Sequence, residues 1–364
     1  MVAAYHCFGA PLKFDGLDMH LIAAASNADS LIERARAIVY WLMLPGDAAV
    51  MFFFVLSGFV LAISLSRAGE LDAAAAFRFA ARRACRVYPV VICAVAAFVV
   101  LNYAAGLAIT HDAAAYSLPS IVRNMLLIDS NINHVTWSMQ AELIAAPVIF
   151  VCFAFASRGE TRTLVILLLS LVVLSFNDDW DALFSVKGLS RTQPLYAFAA
   201  GVLAHAVGRE LVEQLRPSHH GPALMAALAG FFGANLVFGT ETDAAVLMQV
   251  AASALIVMLL AYGRWDALLA VLNMPSLRLM GRVSFSFYLL HPLAMVFVCA
   301  VPGLWTAIVA AGVPPTVVIA GLWVATTAAV LPLAILSHRY IEQPGIELGR
   351  ALTTRADARS FERA

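Results

Sequence analysis

The stretch GDAAVMFFFVLSGFVLAISLS, residues 46–66, decides the fold class of this chain. It carries one charged residue, Asp47, near its start, and its other residues are apolar or small. A helix needs about 20 such residues to cross the hydrocarbon core of a bilayer, because each residue adds about 1.5 Å. The stretch therefore predicts a membrane-spanning helix.

Similar apolar stretches recur along the whole chain. Of its 364 residues, 62% are hydrophobic and only 13% are charged, about half the charged share of an ordinary globular domain. A soluble domain has too small an interior to bury that much apolar surface. We therefore predict an all-α, polytopic membrane helix bundle, with spans near 46–66, 88–109, 137–157, 162–177, 192–208, 222–238, 244–262, 283–302 and 316–337.

The opening run, residues 1–11, is apolar but short. At about 1.5 Å per residue it covers roughly half of the hydrocarbon core. We expect it to be the end of a first span that is incomplete at its N-terminus, which brings the total to about ten. The matching expectation for the gene is an in-frame start upstream of Met1 that encodes the missing turns. An in-frame stop codon just upstream would contradict it.

Basic residues indicate the orientation. If the first span starts in the cytoplasm, 17 of the 23 lysines and arginines lie in cytoplasmic loops or in the C-terminal tail. The positive-inside rule then supports ten crossings with both termini in the cytoplasm. We expect residues 1–345 to form one membrane domain and residues 346–364 a short, frayed cytoplasmic tail. The six basic residues on the other side are Lys13, Arg34, Arg36, Arg123, Lys187 and Arg191.

Charge and cysteine content exclude some classes. The formal net charge is zero, which argues against a nucleic-acid partner. The five cysteines lack the spacing of metal ligands or of a disulfide framework. We therefore expect neither a disulfide framework nor a zinc site.

A row of arginines lies in FRFAARRACRVYP, residues 77–89. Arg78, Arg82 and Arg86 recur every four residues and would line one ridge of a helix, with Arg83 beside it. Guanidinium groups bind phosphate oxygens through paired hydrogen bonds, so this ridge suits a ligand with several phosphates. The alternative is that these arginines only mark the cytoplasmic side and contact lipid headgroups.

A carboxylate, Glu142, lies inside the apolar stretch that follows Trp137 and Ser138. A charged group within a span is costly and usually faces a cavity or a partner. One hypothesis is a buried acid or base, or a group that orients a histidine. The other is a structural pair with an arginine or histidine of a neighbouring helix.

Two histidines lie in apolar surroundings. His291 precedes Pro292, which frees a backbone carbonyl one turn earlier, so the ring has either a structural hydrogen bond there or a role facing the substrate. His6 is either a packed, hydrogen-bonded ring or a base that takes a proton from a hydroxyl near physiological pH. The pair Ser57 and Gly58 indicates close helix packing rather than a nucleophile.

Five motifs together carry a resemblance. In chain order they are FFFVLSGFVL, RFAARRACRVYP, TWSMQAEL, GRVSFSFYLLHP and HRYIEQP. They resemble the membrane-bound acyltransferase type 3 family over nearly the whole chain. The resemblance implies transfer of an acetyl or other short acyl group from acyl-coenzyme A to a hydroxyl of a cell-surface or exported glycan or glycolipid.

The resemblance also implies roles for individual residues. His6 matches the catalytic histidine of the family's first span, and Glu142 matches the glutamate that follows Trp-Ser. The chain departs from the family at Met51, where many relatives carry an acidic residue, and the arginine of the family's first span would fall before Met1. The arginines that match the donor-binding group are Arg82, Arg83 and Arg86. The residues with an acceptor-binding or structural role are Ser138, Arg191 and His291.

With this resemblance we expect a multi-pass enzyme of the inner (plasma) membrane that has no metal ion and no bound cofactor. Its expected mechanism uses acyl-CoA as a co-substrate that docks from the cytoplasm against the arginines. His6 deprotonates the acceptor hydroxyl, or first takes the acyl group itself, and Glu142 orients or charges the imidazole. The expected partners are acyl-CoA, the glycan or glycolipid acceptor and the lipid bilayer. The alternative is a transporter for an acylated glycan or lipid precursor, a class that more often shows inverted repeats or paired broken helices.

Overall fold

The computed structural model describes residues 1–9, 11–14, 17–20, 29–67, 69–106, 113–176, 193–239 and 242–361. Over these residues the regular secondary structure is helical apart from one antiparallel hairpin, in which β1 (Pro11–Phe14) pairs with β2 (Leu17–His20). The predicted all-α helix bundle is confirmed. The first seven helices are α1 (Val2–Gly9), α2 (Leu31–Met43), α3 (Gly46–Leu65), α4 (Ala73–Ala105), α5 (Leu118–Met125), α6 (Trp137–Ser157) and α7 (Thr161–Ser175).

The second half of the chain continues the same pattern. Its helices are α8 (Gln193–Gln214), α9 (Pro217–Phe238), α10 (Asp243–Tyr262), α11 (Asp266–Leu272), α12 (Pro275–Cys299), α13 (Leu304–Ala310), α14 (Pro315–Ser337) and α15 (Gln343–Phe361). A π-turn, His338–Glu342, joins α14 to α15 without a break. Two short 3₁₀ turns, Ala113–Tyr116 and His134–Thr136, precede α5 and α6.

Eight of the described helices are long and apolar enough to cross a membrane. They account for eight of the nine full spans that the sequence predicts. The ninth, α7, has 15 residues, which at about 1.5 Å each is shorter than the hydrocarbon core. The opening run forms α1, a helix of eight residues.

Beyond Pro344, where the sequence predicts a frayed tail, the chain continues as α15 as far as Phe361. Two contacts explain the order. An added Cβ at Gly349 would lie 3.0 Å from Cβ of Cys85, so the small residue lets α15 approach α4 closely. Thr353 is buried, and its hydroxyl accepts a hydrogen bond from Nε of Arg82.

The chain divides into two compact units. The first comprises Met1–Gly46, Arg86–Thr136 and Leu279–Glu347, and the second comprises Asp47–Cys85, Trp137–Arg278 and Leu348–Ala364. In the first unit α1 packs against α14, and Cys7 lies in a buried cluster with residues of α12, α13 and α14. In the second unit α8 packs against α6, α7 and α10, and α9 packs against α10.

In the second unit, α3 and α8 approach each other closely through two glycines. A Cβ added at Gly58 would meet the backbone carbonyl of Phe198, and one added at Gly201 would meet the carbonyl of Val55. Backbone atoms cannot rotate away as a flexible side chain can. The predicted role of Ser57-Gly58 in close helix packing is therefore confirmed.

Gly58→Ala and Gly201→Ala are each expected to lower the free energy of unfolding by about 1–3 kcal/mol, because overpacked sites force the backbone to shift. Denaturant unfolding of the purified protein in detergent measures the effect. The matched control is Gly233→Ala in α9, where an added Cβ meets no atom within 4 Å. Equal stability of all three variants would contradict the packing argument.

Candidate active site

Two histidines that are far apart in the sequence form a pair in the first unit. Nδ1 of His6, on α1, lies 2.7 Å from Nε2 of His291, on α12. The rings stack with their centroids 5.0 Å apart and an angle of 17° between their planes. His291 is 1% exposed and His6 is half-buried. The sequence presented these residues as two separate candidates, and the structure brings them together.

Pro292 determines how His291 is bound. Because proline has no N–H, the carbonyl of Tyr288 loses its helical partner. Nδ1 of His291 lies 2.7 Å from that carbonyl oxygen. A carbonyl can only accept, so Nδ1 carries the hydrogen and donates it. The structural hydrogen bond predicted for His291 is therefore present.

The same bond determines the tautomers of the pair. A neutral imidazole with its hydrogen on Nδ1 has an acceptor at Nε2. Nε2 of His291 therefore accepts a hydrogen bond from Nδ1 of His6. This arrangement leaves the lone pair of His6 on Nε2. Nε2 of His6 is thus the nitrogen that can take a proton.

The position of α1 is determined by contacts next to His6. Cys7 is fully buried, and its Sγ donates a hydrogen bond of 3.8 Å to Oγ1 of Thr326 on α14. Its buried neighbours include Cys299 and Leu322. These contacts hold the helix that carries the candidate base.

The segment before α6 also packs against α12. The amide of Asn133 donates to the carbonyl of Leu289 at 3.0 Å, and the hydroxyl of Tyr288 donates to the carbonyl of Val135 at 3.2 Å. His134, between them in sequence, is exposed and close enough to His6 for an electrostatic interaction. These contacts hold the segment against α12 within one turn of His291.

Polar contacts within the segment hold it in place. Nε and Nη2 of Arg123 donate to the two carboxylate oxygens of Asp129 at 2.7 and 3.1 Å. This hydrogen bonding raises the pKa of the Arg123 guanidinium. Asn124 is fully buried and accepts a hydrogen bond from the backbone N–H of Ile132. Residues 131–136 are therefore in a defined position beside α12.

The predicted acid, Glu142, has an arginine partner in the second unit. Glu142 on α6 forms an ion pair with Arg83 on α4, and the two side chains are 3% and 6% exposed. This geometry is the structural alternative that the sequence left open for Glu142. Because Arg83 is buried and paired, the donor proposal below rests on Arg82 and Arg86 and not on Arg83.

The predicted arginine ridge is present on α4. Arg82 is exposed, and its Nε donates to Oγ1 of Thr353 at 2.9 Å. Arg86 is 43% exposed, and its guanidinium lies over the ring of Phe285 at 5.2 Å. Arg78 pairs with a carboxylate of its own unit at 3.8 Å. Arg82 and Arg86 therefore keep part of the guanidinium accessible.

A buried carboxylate that no sequence pattern singled out lies beside Arg86. Oε1 of Glu342, in the π-turn, is 3.6 Å from Nη2 of Arg86, and Glu342 itself is 2% exposed. The hydroxyl of Ser286 and Nδ1 of His338 both lie 3.0 Å from Oε2. The only sequence signal was the motif HRYIEQP, because a π-turn has no periodicity that a helical pattern would reveal.

The remaining candidates are placed differently. Ser138 is 1% exposed in the first turn of α6. Arg191 lies outside the described residues. Among the residues that the structure describes, no three His, Cys, Asp or Glu side chains come together as metal ligands.

Comparison with known families gives one match. A family model for a type 3 acyltransferase domain matches residues 1–335, which include both histidines and the arginines of α4. No curated protein and no solved structure matches the chain.

Proposed function

We propose, since this chain belongs to the acyltransferase type 3 family, that it is an O-acyltransferase of the inner membrane. As a family member with eight described candidate spans it is a multi-pass membrane acyltransferase. The proposed donor is acyl-CoA. The proposed acceptor is a hydroxyl of a cell-surface or exported glycan or glycolipid. The observation that carries the proposal is the hydrogen-bonded chain from His6 through His291 to the carbonyl of Tyr288.

In the proposed reaction, Nε2 of His6 takes the proton of the acceptor hydroxyl. The oxygen then attacks the thioester carbonyl, the C–S bond breaks, and the CoA thiolate leaves and recovers the proton from His6. The imidazolium that forms in between needs stabilisation in a half-buried position. His291 supplies it by accepting the hydrogen bond from Nδ1 of His6, while its own Nδ1–H stays bound to the carbonyl of Tyr288.

The donor end of the proposal rests on α4. Acyl-CoA carries several phosphate groups, and arginine binds phosphate oxygens bidentately. Arg82 and Arg86 retain accessible guanidinium groups for this purpose. The buried pair of Arg83 and Glu142 acts indirectly, because it joins α4 to α6 within the second unit.

The double variant Arg82→Ala, Arg86→Ala is expected to raise the KM for acyl-CoA tenfold or more and to leave the KM for the acceptor nearly unchanged. Hydrogen bonds to charged groups contribute about 1.5–3 kcal/mol each, and only the donor has several phosphates. Initial rates of transfer at varied donor and acceptor concentrations measure both constants.

The matched control for that variant is Arg158→Ala, Arg162→Ala, which removes two exposed arginines that are also predicted to be cytoplasmic. It separates donor binding from the loss of the positive-inside signal. An unchanged donor KM in the α4 variant, or an equal rise in the control, would favour the topology interpretation of the α4 arginines.

Mass spectrometry of surface glycans tests the proposed function in the cell. A deletion strain should lose one acyl mass from a glycan or glycolipid, and the wild-type gene should restore it. Glycans that are acylated normally but accumulate inside the deletion strain would instead indicate the transporter.

The purified protein provides a second test. In vesicles supplied with labelled acyl-CoA and the identified acceptor, it should release free CoA as label moves to the glycan.

A further inference from the structure

Glu342 is a buried carboxylate that takes no part in the proposed reaction. Its two oxygens have different environments. Oε2 lies 3.0 Å from both the Ser286 hydroxyl and Nδ1 of His338, which act as its hydrogen-bond donors. Oε1 faces Nη2 of Arg86 at 3.6 Å. The hydroxyl of Ser337 in turn donates to that of Ser286 at 3.2 Å.

The π-turn places this carboxylate. The N–H of Gln343 bonds to the carbonyl of His338, five residues earlier, so the helix is locally widened by one residue. Such turns are rare overall, but many of those that occur lie at functional sites. Here the turn contains both His338 and Glu342, and Nδ1 of His338 reaches the carboxylate of Glu342. The turn therefore places Glu342 for its contacts, in addition to continuing α14.

The burial of the two charged partners is unequal. Glu342 is 2% exposed, whereas the side chain of Arg86 is 43% exposed. A buried carboxylate is costly unless it is paired and hydrogen-bonded, and this one has both kinds of partner. Arg86 is held at one edge by Glu342 and on one face by the ring of Phe285. The rest of its side chain is partly exposed.

The cluster of Glu342, Ser286 and His338 is linked to the histidine pair through one helix. Ser286 and His291 both belong to α12, and five residues correspond to about 7.5 Å along a helix axis. Both groups belong to the first unit. One helix therefore carries both the serine that donates to Glu342 and the histidine that accepts from His6.

We propose that Glu342 is a positioning residue that orients Arg86 toward the phosphate groups of the acyl-CoA donor, with Ser286 and His338 holding the carboxylate. The proposal rests on the proposed function, because it takes acyl-CoA as the ligand. A guanidinium that only contacted lipid headgroups would need no buried carboxylate with two further donors. Held in one orientation, Arg86 loses less side-chain entropy when a phosphate binds.

The test is direct binding of CoA to the full-length protein in nanodiscs of neutral lipid, measured by calorimetry. Glu342→Ala should weaken CoA binding fivefold or more, and Glu342→Gln, which keeps an acceptor oxygen, should weaken it less. In a cycle with Arg86→Ala, the double variant should bind CoA no more weakly than Arg86→Ala alone, because Glu342 acts through Arg86. The matched control is Glu347→Ala, which removes an exposed carboxylate from the same helix α15.

The outcomes separate the two proposals. If wild type does not bind CoA, the proposed donor is wrong, and this positioning role falls with it. If wild type binds CoA and Glu342→Ala binds it equally well, the positioning proposal alone is overturned. Additive losses in the cycle would also overturn it. A repeat in nanodiscs with anionic lipid distinguishes the sources of phosphate, since an effect of Glu342→Ala on lipid binding without one on CoA would assign Arg86 to headgroups.

Discussion

His6→Ala is expected to reduce the rate of acyl transfer by about 10²- to 10⁴-fold, the usual effect of removing a general base. The physical reason is that Nε2 of His6 holds the lone pair that the hydrogen bonds of His291 and Tyr288 leave available. The measurement is the initial rate with saturating acyl-CoA and acceptor. Insertion and helical content should stay near wild type, because Cys7 and its neighbours hold α1.

The control for this variant is His219→Ala, which removes an exposed histidine from the first turn of α9. It should keep full activity. If His6 carries the acyl group covalently, labelled acyl-CoA without acceptor will leave label on the wild-type protein and not on His6→Ala. A transfer rate near wild type in His6→Ala would reject His6 as the base in either form.

Glu142→Ala is expected to destabilise the protein by about 3–5 kcal/mol, the cost of leaving a buried charge without its partner. The uncompensated charge is that of Arg83, whose side chain is 6% exposed. Replacing both residues, as in Glu142→Leu with Arg83→Leu, should recover most of the stability, because no charge then remains buried. Denaturant unfolding in detergent measures both variants against wild type.

The exposed pair of Arg209 and Glu213, with side chains 73% and 66% exposed, provides the control. Glu213→Ala should change stability by about 0.5 kcal/mol or less, as exposed pairs do. The double Leu variant also separates the two interpretations of Glu142. If it is stable and active, Glu142 is a structural partner of Arg83. If Glu142→Ala is as stable as wild type but inactive, the carboxylate acts in the chemistry.

The amino-acid sequence by itself determined the features that depend on near neighbours. The apolar runs predicted the long helices, because the length needed to cross a bilayer is a property of one continuous segment. The four-residue spacing predicted that Arg78, Arg82 and Arg86 share one helix. Likewise, the carbonyl that Pro292 frees was predictable, since proline acts within one turn.

Only the tertiary structure decided which of these groups meet. His6 and His291 are 285 positions apart, and nothing in either stretch indicates the other. Glu142 pairs with Arg83 rather than with an imidazole in the described contacts, because α6 presents it to α4 within the second unit. The role of Glu342 likewise depends on a π-turn and on a helix that lies far away in sequence. A local sequence pattern reflects whether a segment lies in lipid or in water. The pairing of buried polar groups depends instead on how segments pack against one another, and sequence periodicity does not encode that packing.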